Sequence, residues 1–160
     1  MNDSWDAFAT ALSEESSLLM RVHETAQRMT QALVANDPEA IAAIDRELDS
    51  ARKAYQSASG KRRGMQVRGF GTMGLRQVCA YAPRAMWPAL GQRVSELTTT
   101  SIALGITVNN NKALILSGME RLMKVTAALQ KAHNHEAAGT YKRRGYVAPP
   151  SNSVLVSSKA

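Results

Sequence analysis

Residues 98–116 read TTTSIALGITVNNNKALIL, and the way this stretch is taken decides the fold. Its β-branched residues, with Asn109–Asn111 as a turn, suit a β hairpin over Thr99–Leu116. The flanking sequence favours a helix. From Ala89 to about His133, the positions Leu90, Val94, Leu97, Ser101, Leu104, Val108, Asn111, Ile115, Met119, Leu122, Thr126 and Leu129 step by three or four without a phase break. That spacing keeps one face of a slightly underwound helix turned toward a neighbour. It predicts one very long helix over 89–136, weakest at Gly105 and Asn109–Asn111, with the hairpin as the rival.

Two more patterns precede it. Trp5, Phe8, Leu12, Glu15, Leu19, Val22, Ala26, Met29 and Leu33 form a heptad seam with one acidic interruption, Glu15. The helix should stop near Asn36. Asp37-Pro38-Glu39 then starts another: Asp caps free amides, Pro loses no bond at the first position, and Glu39 suits the positive dipole end. Ile41, Ile44, Leu48, Ala51, Tyr55 and Ala58 continue with the same step to Gly60. So short a loop between two seams predicts an antiparallel helical hairpin over 4–59. Residues 60–88 break the period. GKRRGMQVRGFGTMG carries five glycines and four bases, then a possible short helix LRQVCAYA, then Pro83 and Pro88. This reads as a mobile basic connection. Gly139 should close the long helix, leaving 139–160 as a disordered tail with short recognition elements. The expected fold is therefore all-α: an elongated antiparallel helical bundle or coiled coil over 1–138, with a flexible tail.

Charge is unevenly spread. Residues 1–60 hold ten acids and five bases, residues 61–95 seven bases and no acid, and the remainder eight bases against three acids. A net charge of +7 thus hides an acidic first third, so charge alone does not point to nucleic acid. Only 5% of residues are aromatic, which argues against a large aromatic-cored β-sandwich. A single cysteine, Cys79, excludes an internal disulfide framework and suits a reducing compartment. No stretch has the ~18 apolar residues of a membrane span. MNDSWDAF has acids where a secretory signal carries bases, so the expected location is the cytoplasm.

Catalytic constellations are missing from the pattern. Gly69-Phe70-Gly71-Thr72-Met73-Gly74 spells a dinucleotide fingerprint, but it follows a basic loop and no acid lies about 20 residues on. His133 and His135, with Glu136, are spaced to face different sides of a helix and would chelate a metal poorly. Cys79 sits in an apolar patch without a nearby histidine, as a buried thiol does. We expect no enzyme, no cofactor and no metal.

Two features remain. Leu116 and Met123 widen the apolar stripe of the third helix beside Ile115, Met119, Leu122 and Leu129. A spare stripe can receive a visiting helix, and Met65, Met73, Met86, Met119 and Met123 offer deformable contact area, although the same pattern also describes ordinary core. Lys142-Arg143-Arg144 lies beside Tyr141 and Tyr146, a combination that can clamp phosphates or simply be a solvated end.

At these residues the chain resembles the flagellar export chaperone family FlgN. The resemblance rests on an acid in the first seam (LSEESSLL), an arginine pair after the second helix (KRRG), asparagines before an apolar cluster (NNNKALILSGMERL), and a tail tyrosine four residues before a glycine (Tyr141 to Gly145). It departs in having three bases where the family carries a Gly-Pro-Asp-like insert, and Val108 where the first spaced asparagine falls. The resemblance implies a cytoplasmic chaperone that binds hook–filament junction proteins, keeps them soluble and delivers them to the type III export gate. It implies client binding by the C-terminal half of the long helix, through Leu116, Met119, Leu122 and Met123. It also implies engagement of the export gate cytoplasmic domain by Tyr141 and Gly145, by a monomer or homodimer. The alternative from the residues is a basic coiled-coil protein that binds nucleic acid through 61–93 and 142–144, or a structural adaptor.

Overall fold

The computed structural model describes residues 2–144, with side-chain surroundings for 4–134. Among these there is no strand: α1 (Asn2–Ala35), α2 (Pro38–Phe70), α3 (Leu75–Ala80), a 3-10 turn (Arg84–Met86) and α4 (Trp87–Arg144) follow one another. The chain divides into two compact units, Met1–Ser117 and Gly118–Ala160.

In the first unit α1 and α2 form the expected antiparallel hairpin. Residues early on α1 pair with residues late on α2, as in Glu14 with Lys61 and Glu15 with Arg62, while Arg28 meets Glu47 near the turn. The turn takes two residues. Asn36 adopts a left-handed backbone (φ 53°), and the amides of Asn36 and Asp37 return to the carbonyls of Leu33 and Ala32, closing α1. Asp37 then caps α2, its side chain accepting from the Ala40 amide at 3.0 Å with Pro38 behind it. Such a cap contributes about 1 kcal/mol.

The first part of α4 runs parallel to α1, since Ser16 reaches Glu96, His23 reaches Thr107, and Thr30 reaches Asn111. Helix α1 therefore lies between two partners. Eight of its nine predicted seam residues are buried, and Leu33 is half-buried. Small buried side chains flank them, Ala11, Thr25 and Ala32 on one side of the seam and Ser16 on the other. One seam would have sufficed for a single neighbour; two neighbours demand the wider face.

Three apolar clusters alternate with polar contacts along α1. At one end Trp5, Phe8 and Leu12 pack with Val78, Ala82, Leu90 and Val94. The middle cluster is Val22, Ala26, Leu48 and Ala51, and the turn end holds Met29, Ala32 and Ile44. Between the first two lies a polar layer. Glu15, only 2% exposed, accepts two bonds from Arg62, from Nε at 2.6 Å and Nη2 at 3.2 Å. The remaining Arg62 amine bonds Gln66, whose own amide donates to the Met73 carbonyl. On the α4 side, hydrogen bonds from Arg93 and Gln92 hold the Glu96 carboxyl below the usual carboxylate range.

The long helix favoured by the spacing forms through Thr99–Leu116, and the rival hairpin does not. Asn111 is buried, donates to the Ala26 carbonyl at 2.9 Å, and accepts from the Thr30 hydroxyl at 2.6 Å. The triplet that resembled a turn thus supplies a polar anchor to α1. Four sequence expectations are corrected here. First, 60–88 is not only a basic connection, because it holds the end of α2, the short α3 and the 3-10 turn. Second, α2 does not end at Gly60. The helix continues ten residues to Phe70, because Arg62 is drawn in by Glu15 and Lys61 reaches Glu14 at 3.6 Å. Gly71, with φ 63°, is the residue that closes it. Third, α4 begins at Trp87 rather than Ala89, Pro88 being tolerated in its first turn. Finally, Gly139 does not close α4, which runs to Arg144.

The buried pair makes a stability prediction. Removing one member of a buried ion pair strands the other charge, at a cost of about 3–5 kcal/mol. Arg62→Met should therefore lower the denaturation midpoint sharply. Adding Glu15→Leu to it should recover most of the loss; a double variant no better than the single would show that the pair is not the cause. The glycines Gly60 and Gly64 lie within α2 with open space where a Cβ would project. Each change to Ala should raise stability by about 0.5–1 kcal/mol in urea unfolding, by removing the helix-interior penalty.

Candidate functional site

The periodic pattern of the third helix separates into two regimes. In the first unit Leu90, Val94 and Asn111 are buried, with Leu97 and Leu104 half-buried, so this part of the seam faces the hairpin. From Lys112 to Asn134 every residue is exposed. Leu114, Ile115 and Leu116, last in the first unit, already have open side chains.

Within the second unit, Met119, Leu122, Met123, Val125 and Leu129 are all more than half exposed. Helical spacing sets Met119, Leu122, Thr126 and Leu129 along one stripe, with Met123 adjoining it and Glu120, Arg121 and Lys124 between. Thr126 turns its hydroxyl back to the Leu122 carbonyl at 2.9 Å, so it presents its methyl group without an unsatisfied polar atom. Five large apolar side chains thus stand exposed on one short helical segment. The four client-site residues named from the sequence lie on this helix and are exposed, at 51% (Leu116), 54% (Met119), 68% (Leu122) and 63% (Met123).

Of the methionines taken as surface contacts, Met65 and Met86 instead pack against the Trp5–Phe8–Leu12 cluster. Tyr141 lies in the helical backbone of α4, its side chain outside the described residues; Gly145 lies outside them altogether.

The other candidates resolve into structural roles. In the dinucleotide-like run, Gly69 and Phe70 are helical, Gly71 closes α2, and the Gly74 amide is capped by the Gln77 side chain at 3.0 Å. A six-residue helix follows and no strand leads in, so the backbone for a phosphate cradle is missing. Three of the seven bases in 61–95 are neutralised within the fold, Lys61 by Glu14, Arg62 by Glu15 and Arg93 by Glu96. No group of three or more metal-ligating side chains occurs among the described residues; His135 and Glu136 fall outside those whose side chains are described. His23, half-buried, meets Thr107 at 3.3 Å.

Burial pushes the Cys79 thiol above its ordinary pKa, against a smaller opposing pull from Arg62. Less thiolate is then present at neutral pH than on a free cysteine. Iodoacetamide should accordingly label Cys79 more slowly at pH 7 in the folded protein than in urea, as intact-mass spectra would show. Equal rates would mean that the thiol is not shielded.

Sequence reading missed the role of Arg62, hidden in a glycine-rich basic run, and of Asn111 as an interhelical anchor. The signal for the first was Glu15 itself: an acid in an apolar seam requires a buried cation.

A helical hairpin followed by a long third helix that carries an exposed apolar stripe defines an all-α helical protein. The profile of one protein family, FlgN, described as FlgN protein, matches residues 1–148, and the chain belongs to that family. FlgN proteins are flagellar export chaperones. No curated protein and no solved structure matches the chain. No described helix is long and apolar enough to cross a membrane.

Proposed function

We propose that this chain is a cytoplasmic, non-catalytic chaperone of hook–filament junction proteins, holding them soluble and presenting them to the export gate. The observation that carries the reading is the exposed Leu and Met stripe on α4, from Leu116 through Met119, Leu122 and Met123 toward Leu129. A client's amphipathic terminal helix, which would self-associate through its own apolar face, has a matching stripe to pair with. Methionine side chains adapt to different partners at little strain, as a carrier of more than one client requires. An interface of ~800 Å² per side is ordinary for such a complex. In the same reading, Tyr141 and Gly145 contact the cytoplasmic domain of the export gate. The charged residues beside the stripe keep the unoccupied helix in solution.

Purified chain mixed with a junction protein should co-elute as a soluble complex that survives raised salt, because its contacts are mainly apolar. Leu116→Asp combined with Met123→Asp should abolish the complex. Both side chains are exposed, so circular dichroism should be unchanged. Undiminished co-elution of that variant would place the client elsewhere. Tyr141→Ala should leave the client complex intact while weakening capture by the immobilised gate domain. Equal capture would remove the tyrosine from the proposal.

A further inference from the structure

Apolar side chains in the second unit spread wider around α4 than one partner helix covers. A helix turns roughly 100° per residue, so Met119, Leu122, Thr126 and Leu129 centre on one direction, with Met123 roughly 80° to one side and Val125 roughly 80° to the other. The five large apolar residues among them are all exposed. Their arc is therefore roughly 160°. An ordinary core-facing stripe is about 100° wide, and the seam between two paired helices is narrower still. Glu120, Arg121, Lys124 and Lys131 fall in the remaining sector.

Contact area and charge narrow the occupant. At 1.5 Å per residue, 118–134 is about 25 Å long, and a helix with its side chains is about 10 Å across. One helix lying along it covers a footprint on the order of 250 Å². That is well short of the ~800 Å² per side of a stable complex. A second helix about doubles the footprint. A second copy of this chain fits poorly, because α4 is the one element of its second unit among the described residues. Such a copy would also bring like charge: Arg121, Lys124 and Lys131 stand against Glu120, and none of the four is ion-paired among the described residues.

Resting on the client reading above, we infer that the client contributes two amphipathic helices to this surface, with α4 as the third member of the bundle they form. One client helix packs on the Met119–Met123 side and the other on the Val125–Leu129 side. Each side is an i, i+4 pair, the spacing at which helical side chains stack into one ridge. Leu122 and Thr126 lie between them, where the Thr126 hydroxyl is already satisfied by the Leu122 carbonyl. Each client helix then buries its apolar face against α4 and against the other, so neither is left to self-associate.

The test uses the full chain and a purified hook–filament junction protein, with hydrogen exchange of the junction protein followed by mass spectrometry, alone and in complex. Two separate helical segments of the junction protein should gain protection. Met123→Asp should release one segment and Val125→Asp the other, each weakening binding about tenfold or more in calorimetric titration. Both side chains are exposed, so the helicity of each variant should match that of the unmodified chain. Protection of one continuous segment overturns the inference while leaving the client reading in place. Val125→Asp with unchanged affinity and unchanged protection overturns it equally. No complex at all removes the client reading and this inference together. A dimer of the chain alone, dissociated by Val125→Asp in sedimentation, would make a second copy the occupant.

Discussion

The buried pairing of Glu15 with Arg62 is the constraint on which the rest of the first unit depends. A carboxylate in the middle of an apolar seam is tolerable only if a cation arrives with matched geometry, and the guanidinium fork provides two bonds to it. That requirement fixes the register of α1 against α2. It also carries α2 through Gly60 and Gly64, where helix propensity alone would let the chain fray. Once α2 reaches Phe70, its ring sits against Trp5, and Val78 and Leu90 can close the cluster at that end.

The third helix shows how one continuous pattern can have two destinations. Its seam keeps nearly the same step from Leu90 to Leu129, yet burial ends at Asn111. Asn111 is a buried polar residue that bonds across to α1, and polar anchors of this kind define alignment more than they add stability. The parallel placement beside α1 is marked at intervals by Ser16–Glu96, His23–Thr107 and Thr30–Asn111. Beyond that point the same apolar residue types remain exposed.

Much of this was legible in the residues. Heptad spacing identified α1, the Asp37-Pro38 start of α2 and the course of α4, because burial against one neighbour imposes a period on the chain. The resemblance to FlgN proteins came from colinear motifs spread over nearly the whole length, and the family match covers residues 1–148. What misled was local chemistry read without its partners. Glycines and arginines in KRRGMQVRG look like a loop until Glu15, 47 residues earlier, is set opposite Arg62. Three asparagines look like a turn until the Ala26 carbonyl and Thr30 hydroxyl are within reach of one of them. Leucines and methionines beyond Asn111 look like core until no buried residue is found among those described.

The amino-acid order by itself determined the helical class, the hairpin and its two-residue turn, and the absence of a recognisable catalytic motif, since these follow from periodicity, capping and residue type along a short span. Tertiary structure alone decided which polar residues are buried, where α2 ends, and which half of the third seam is covered. Those outcomes depend on pairings between residues dozens of positions apart, and a spacing pattern records that a face is apolar without recording what, if anything, lies against it.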